Sequence, residues 1–180
     1  MARLDPPAVE TLSPEHRAVH DKIKGSRPKL GGPFGVLLHA PAIATAASGL
    51  VDVLRAKGTL EPRIYELIVL TVTRHWSAQY AWAVHEPLGR NAGLSGDVIE
   101  ALRGRKRPAF DKPDEALVYD AVTELLNGKV LSAELYNRLV SLYGIPTTIE
   151  LVSVVGLDNM GATVLNGFDV PTANGEAPFR

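Results

Sequence analysis

The chain has 180 residues, of which 46% are hydrophobic and 22% are charged, and its formal net charge at pH 7 is −1. These values are typical of a soluble globular protein, and they exclude a disordered or fibrous chain. We expect one domain, with irregular arms at residues 1–12 and 168–180. The chain has no cysteine, which excludes disulfides, thiolate nucleophiles and zinc thiolate sites.

Charge and hydropathy also limit the partners that we expect. The near-zero net charge does not favour a nucleic acid or an anionic membrane. The basic run RGRKR, residues 103–107, is interpreted as a solvated loop, because no aromatic residues interleave with it. The N-terminal sequence has no apolar signal segment, and no apolar run approaches the ~20 residues that span a bilayer. We therefore predict a cytoplasmic protein.

The first third of the chain contains two predicted helices. Ser13 followed by Pro14 is a typical helix start, and this helix should end at Gly25. Residues 26–35 are rich in proline and glycine and are predicted to form a loop. A second helix is predicted over residues 41–58, from a proline to a glycine.

Residues 62–91 form a long stretch with helical apolar periodicity. About thirty residues exceed the ~8–20 that are usual for a globular helix, so a break is expected at residues 75–76. Ser77 is then predicted to cap a second helix. Pro87 is expected to kink or end that second helix, because its ring clashes one turn back.

The last half of the chain is also predicted to be helical. Ser95 should cap a short helix, and residues 113–128 and 132–144 should form two amphipathic helices that end at glycines. The final helix should start after Pro146. It is apolar nearly all round, which predicts burial in the domain or in a subunit interface. The resulting fold class is all-α.

A possible site lies in the long helical stretch. Arg74 and His85 would share one side of a continuous helix, and Glu66 precedes Arg74 by two turns. A carboxylate, a guanidinium and an imidazole could together bind an anionic substrate and transfer a proton near pH 7. The same pattern also fits a buried Glu66–Arg74 ion pair with His85 as a core histidine.

The other candidates are less specific. Aromatic residues such as Trp76, Tyr80 and Trp82 could line a pocket, although they are more often core or interface anchors. His39 could line a pocket or lie at a helix end. A His16–His20 pair has metal-ligand spacing but no third ligand nearby, so no metal site is predicted.

Residues 66–95, with Glu66, Tyr80, Trp82, His85 and Gly93, resemble the carboxymuconolactone decarboxylase and alkylhydroperoxidase superfamily. The resemblance extends to residues 32–44, GPFGVLLHAPAIA, and to the last helix with the motif GFDVP. It implies an all-helical alkylhydroperoxidase-like bundle that assembles into trimers or hexamers, with its site near the break in the long helical segment.

The resemblance also implies two chemistries. In the peroxidase branch a C-x-x-C pair lies between the glutamate and the histidine, and Ala78 and Ala81 stand at those positions here. Without sulfur, peroxidase chemistry is disfavoured. The decarboxylase branch reads Y-E-W-x-x-H, and here Ala81 replaces the glutamate between Tyr80 and Trp82.

The resemblance therefore implies cofactor-free decarboxylation, or related proton transfer, on a small carboxylated lactone or cyclic acid. His85 would donate the proton, Glu66 would orient the imidazole of His85, and Arg74 would anchor a carboxylate of the substrate. The candidate substrate-binding residues are Tyr80, Trp82, His39 and His75. Because a site carboxylate is missing at Ala81, a non-catalytic oligomeric binding protein of the same fold is the alternative.

Overall fold

The computed structural model describes residues 2–25, 30–128 and 130–179, and over this part of the chain the fold is all-α with no strand. A short 3-10 helix, Val9–Thr11, precedes eight α-helices. Their bounds are α1 Pro14–Gly25, α2 Gly32–Leu37, α3 Pro41–Ala56, α4 Pro62–His75, α5 Gln79–Asn91, α6 Gly96–Arg103, α7 Pro113–Leu126 and α8 Ala133–Gly167.

Several predicted helix starts are confirmed by the capping contacts. The hydroxyl of Ser13 accepts a hydrogen bond from the backbone N–H of His16 at 3.2 Å, and that of Ser95 accepts one from Val98 at 3.1 Å. Prolines stand at the first positions of α3, α4 and α7, where their missing N–H costs no helical bond. The predicted break after His75 is also present.

Two local predictions were wrong, and one alternative of a third is excluded. Residues 32–37 form α2 where a loop was expected, with Gly32 at φ 57° supplying the turn into it; residues 26–29 of that predicted loop lie outside the described residues. Ser77 does not cap α5, because Ala78 holds the cap position and Ser77 has φ 50°. Pro87 was expected to kink or end α5, and it does not end it, because the helix continues to Asn91.

Helix α4 is the centre of the core. Its residues from Ile64 to Thr73 are all buried, and α5, α7 and α8 pack around it. Full burial of one aliphatic side chain such as Leu67 or Ile68 stabilises the fold by about 1.5–3 kcal/mol relative to exposure. The fixed position of α4 therefore provides a rigid support for any functional side chain that it carries.

Helix α8 is interrupted at Gly144, where φ 77° and ψ 167° are not helical. Its second half packs on α4, but several apolar side chains on it remain exposed, namely Ile145, Ile149 and Val152. Burial within the domain therefore accounts for one face of this helix, and burial of the other face in a subunit interface stays a prediction. By length and composition α8 is the one helix among the described residues that could cross a membrane, although the Gly144 break divides it.

The C-terminal segment folds back on its own chain. The ring of Phe179 packs edge-on against Trp82 with ring centroids 5.1 Å apart. The backbone N–H of Phe179 donates to Oε1 of Gln79 at 3.1 Å. Arg103 donates to the carbonyl of Pro178 at 3.2 Å. This segment therefore covers the start of α5.

Candidate active site

A buried glutamate and a buried histidine meet between α4 and α5. Glu66 Oε2 lies 2.7 Å from Nδ1 of His85, and the two residues are 8% and 9% exposed. A carboxylate accepts hydrogen bonds only, so Nδ1 carries the proton. In neutral imidazole the other nitrogen, Nε2, is then a lone-pair acceptor.

An arginine from α3 lies beside the other ring nitrogen of His85. Arg55 Nη2 lies 3.4 Å from Nε2 of His85, and its Nε donates to the hydroxyl of Tyr65 at 3.3 Å. Guanidinium is a donor only, which agrees with a lone pair on Nε2. Because part of the Arg55 side chain is exposed, its positive charge can also reach a bound ligand.

Helix α8 contributes an aspartate to the same cluster. Asp158 Oδ2 is buried and has no hydrogen-bond partner among the described residues. Burial raises the pKa of Asp158 to about 6; Glu66 adds to the rise, while His85 and Arg55 oppose it. A carboxyl group with this pKa can give up or take a proton near neutral pH.

Four helices therefore bring five polar side chains together: Arg55, Tyr65, Glu66, His85 and Asp158. The arrangement holds a positive charge beside two groups that can exchange protons. It can stabilise developing negative charge on a ligand and move a proton to or from it. Of these residues, the sequence had indicated only Glu66 and His85.

The structure does not bring Arg74 to this cluster, which corrects the predicted convergence. Arg74 Nε donates to the carbonyl of Arg103 at 2.7 Å and its Nη1 donates to Ser77 at 3.0 Å. Its guanidinium also stacks 4.3 Å from the ring of Phe179. The break after His75 ends α4 before Arg74 and His85 can share a helix face, and Arg55 occupies the position expected for Arg74.

Two predicted pocket residues have different environments. Trp82 is fully buried, and its Nε1 donates to Glu86 at 2.8 Å, so it is a core residue and cannot contact a substrate without repacking. Tyr80 is partly buried against Gly32 and lines a cavity of about 310 Å³ between α5 and the end of α8.

The two remaining predicted histidines lie outside the cluster. His39 is exposed, and its Nε2 lies 2.8 Å from the carbonyl of Asp5. His75 is also exposed, at the end of α4, and lines a second cavity with Arg74. Within the described ranges no group of three or more histidine, aspartate or glutamate side chains could hold a metal ion.

Comparison with solved structures identifies the fold. A protein of unknown function from Agrobacterium tumefaciens, provisionally named antioxidant defence protein AhpD, matches with a TM-score of 0.66 and 16% identity, covering 76% of this chain and 94% of that chain. The debrominase Bmp8, as a cysteine-to-alanine variant in complex with 2,3,4-tribromopyrrole, matches with a TM-score of 0.74 and 14% identity, covering 97% of this chain and 92% of that chain.

These matches establish the class of fold. The chain has the alkylhydroperoxidase-like helical fold, as the sequence predicted. No protein-family profile matches the chain, and no curated protein matches it in sequence. At 14–16% identity the structural likeness shows the fold alone, so the chemistry has to be argued from the residues.

Proposed function

We propose that this protein is a cofactor-free enzyme that decarboxylates, or transfers a proton within, a small carboxylated lactone or cyclic acid. The observation that carries the proposal is the buried Glu66–His85 pair, with Arg55 at the imidazole Nε2. A histidine with a buried carboxylate on one ring nitrogen and a guanidinium beside the other is held in one orientation, as a proton-transfer group requires.

In the proposed reaction the substrate carboxylate binds beside Arg55, which takes the role first predicted for Arg74. The bond between the ring carbon and the carboxylate breaks, CO₂ leaves, and the electron pair spreads onto the conjugated carbonyl. The guanidinium stabilises the negative charge that develops there. The ring carbon then takes up one proton, which completes the reaction.

The source of that proton is Asp158. In the free protein Nε2 of His85 has a lone pair, so a second group must hold the proton that the carbon receives. A bound carboxylate adds negative charge beside Asp158, which raises its pKa further and keeps it protonated. Asp158 supplies the proton, His85 Nε2 relays it, and Glu66 holds the imidazole in orientation. Asp158 then regains one proton from water, which balances the proton taken up by the product in each turnover.

This assignment also accounts for the alanine at position 81. Decarboxylase-like sequences have a glutamate there, which this chain lacks. Asp158 brings a carboxyl group from a different helix, so the cluster retains two carboxyl groups in spite of Ala81. The complex of the debrominase with tribromopyrrole supports a small cyclic ligand for this fold.

The test is to follow CO₂ release from γ-carboxymuconolactone by wild type and by His85→Ala. Loss of a proton-transfer group is expected to lower the rate by about 10²–10⁴-fold. His16→Ala, which removes a histidine on α1 far along the chain, is the matched control and should retain the wild-type rate. Full activity in His85→Ala would remove His85 from the mechanism.

The competing function is that of a non-catalytic binding protein, and Ala81→Glu separates the two. Ala81 packs beside Tyr80 in a small apolar cluster. A glutamate at position 81 restores the carboxylate of the decarboxylase pattern Y-E-W-x-x-H. If only the Ala81→Glu variant releases CO₂, the natural protein is not a decarboxylase. If wild type is active and the variant is not faster, Asp158 already fills that role.

We also propose that the protein forms a homo-oligomer, a trimer or a hexamer. The exposed apolar side chains of α8 follow helical spacing, with Ile145, Ile149 and Val152 exposed by 56%, 61% and 39%. Contiguous apolar surface of this kind is usually covered by a partner. A second copy of the chain is the partner that the superfamily resemblance implies.

A further inference from the structure

A second cavity, separate from the proton-transfer cluster, lies between the end of α4, α7 and the loop after α6. Its volume is about 260 Å³, and its basic lining residues are Arg74, His75, Arg105 and Lys106. Arg74 follows Glu66 by eight residues on α4, which is about 12 Å along a helix. The cavity is therefore a separate site, and ligand binding in it does not depend on the proposed function.

The charge around this cavity is not balanced. Among the described residues that line it there is no aspartate or glutamate. Arg105 donates to the hydroxyl of Ser77 at 2.7 Å and to the carbonyl of His75 at 3.5 Å, and Arg74 likewise donates to neutral oxygens. The basic side chains of Arg74, Arg105 and Lys106 thus line one space, and the acceptors of the two arginines there are neutral.

The same basic run contains a direct contrast. Arg103 forms ion pairs with Glu86 at 2.5 Å and Glu100 at 3.1 Å, and Arg107 pairs with Asp120 at 2.8 Å. The residues between them, Arg105 and Lys106, turn toward the cavity instead. The run therefore has two functions: its ends are paired within the fold, and its middle supplies charge to a cavity.

Two further observations indicate that this arrangement costs free energy. Burial, together with the charges of Arg105 and Arg103, lowers the pKa of Arg74, as expected when like charges are crowded. Ser77 and Arg105, which are hydrogen-bonded to each other, both have positive φ, at 50° and 55°. Such backbone strain is often retained at binding sites, and a bound anion would offset the charge repulsion.

We propose that this cavity binds a small anion with two or more negative charges, carried by phosphate or carboxylate groups. The volume corresponds to roughly nine water molecules, which suits a compact ligand. Arg74 and Arg105 supply planar donors that match either group, and Lys106 adds a mobile positive charge. Tyr119 and Thr123 line the same space.

The test is calorimetric titration of the full chain with pyrophosphate and, separately, with citrate. Saturable binding of either anion is expected, and the tighter of the two identifies phosphate or carboxylate as the recognised group. Arg105→Gln and Lys106→Gln should each weaken binding at least about tenfold, which is ~1.4 kcal/mol. Lys106→Gln serves as the second variant in case Arg105→Gln disturbs the loop.

Arg107→Gln is the matched control, because it removes the same charge from the same loop but from an arginine that is paired with Asp120. It should change the dissociation constant by no more than about twofold. Equal weakening by Arg105→Gln and Arg107→Gln would overturn the proposal in favour of diffuse surface charge. Absence of binding to both anions would also overturn the proposal. Dissociation of an oligomer by Arg105→Gln would overturn it as well, because a carboxylate of a second copy of the chain would then be the partner of Arg105.

Discussion

Glu66 and His85 lie nineteen residues apart in sequence, yet their side chains are joined by a 2.7 Å hydrogen bond in the interior. The short turn after His75 reverses the chain, so that α5 packs back along α4. The turn after His75 therefore brings Glu66 and His85 together. A continuous helix over residues 62–91 would have separated the two side chains by about 28 Å along its axis.

Replacement of Glu66 by glutamine should lower kcat at least about tenfold and leave KM nearly unchanged. Glutamine keeps the shape but removes the negative charge that favours a protonated imidazole during relay, while Glu66 itself does not touch the substrate. Steady-state kinetics measures this split. Glu134→Gln, at a carboxylate that is 79% exposed, is the control; a rise in KM without loss of kcat would contradict the assigned role.

Asp158→Asn should stabilise the protein at neutral pH and have little effect at pH 4. Folding raises the pKa of the Asp158 carboxyl group from 3.8 to about 6. Between about pH 4 and pH 6 the folded protein therefore holds a proton on Asp158 that the unfolded chain has lost. Stability due to this group therefore falls as pH rises from about 4 to 6. Two pKa units correspond to about 3 kcal/mol at most.

Urea denaturation of wild type and Asp158→Asn across pH 4 to 8 measures this difference. The gain in the free energy of unfolding should grow with pH and level off above pH 6. A gain that is the same at every pH would mean that Asp158 does not titrate in this range in the folded state.

Gly32→Ala should destabilise the fold by about 2–4 kcal/mol. Gly32 has φ 57°, and a Cβ there would lie 2.5 Å from Cε1 of Tyr80, so the variant combines backbone strain with overpacking. Gly49→Ala is the control: Gly49 is exposed in the middle of α3 with open space around it, and alanine should stabilise it by roughly 0.5–1 kcal/mol. Thermal denaturation followed by circular dichroism compares the two, and an unchanged Tm for Gly32→Ala would contradict the packing described.

Ile149→Glu should convert the proposed oligomer into monomers without unfolding the chain. The side chain is 61% exposed on α8, so a charge there costs the isolated subunit little but cannot be buried in an apolar interface. Sedimentation velocity measures the mass. Val130→Glu, at a valine that is 91% exposed outside the helices, should leave the oligomer intact; a monomeric wild type would refute the proposed assembly.

Much of the helical framework could be predicted from local signals. Prolines and glycines define the ends of α1, α3 and α7, because their effect on backbone geometry does not depend on the rest of the fold. The errors occurred where tertiary packing prevails. Helix α2 forms in a Gly- and Pro-rich segment, where Gly32 with φ 57° packs closely against Tyr80, and α5 continues through Pro87 to Asn91.

The site could be predicted only in part for a similar reason. Glu66 and His85 are close in sequence to the break, and the resemblance pointed to both. Arg55 and Asp158 are carried by α3 and α8, and no spacing rule links those helices to α4 before the fold is known. The one available signal was Asp158 among the mostly apolar residues of the last helix, where burial of a charge requires a reason.

The dependence of kcat/KM on pH, for decarboxylation of γ-carboxymuconolactone by wild type and Asp158→Asn, is the sharpest test of proton transfer by the buried cluster, since this quantity reports groups in the free enzyme. We predict a wild-type value that falls as pH rises above about 6, when Asp158 loses the proton that it must supply. Asp158→Asn should be slower by about 10²-fold or more and lack this fall. A variant with the wild-type rate and the wild-type profile would contradict the claim that this buried cluster performs the proton transfer.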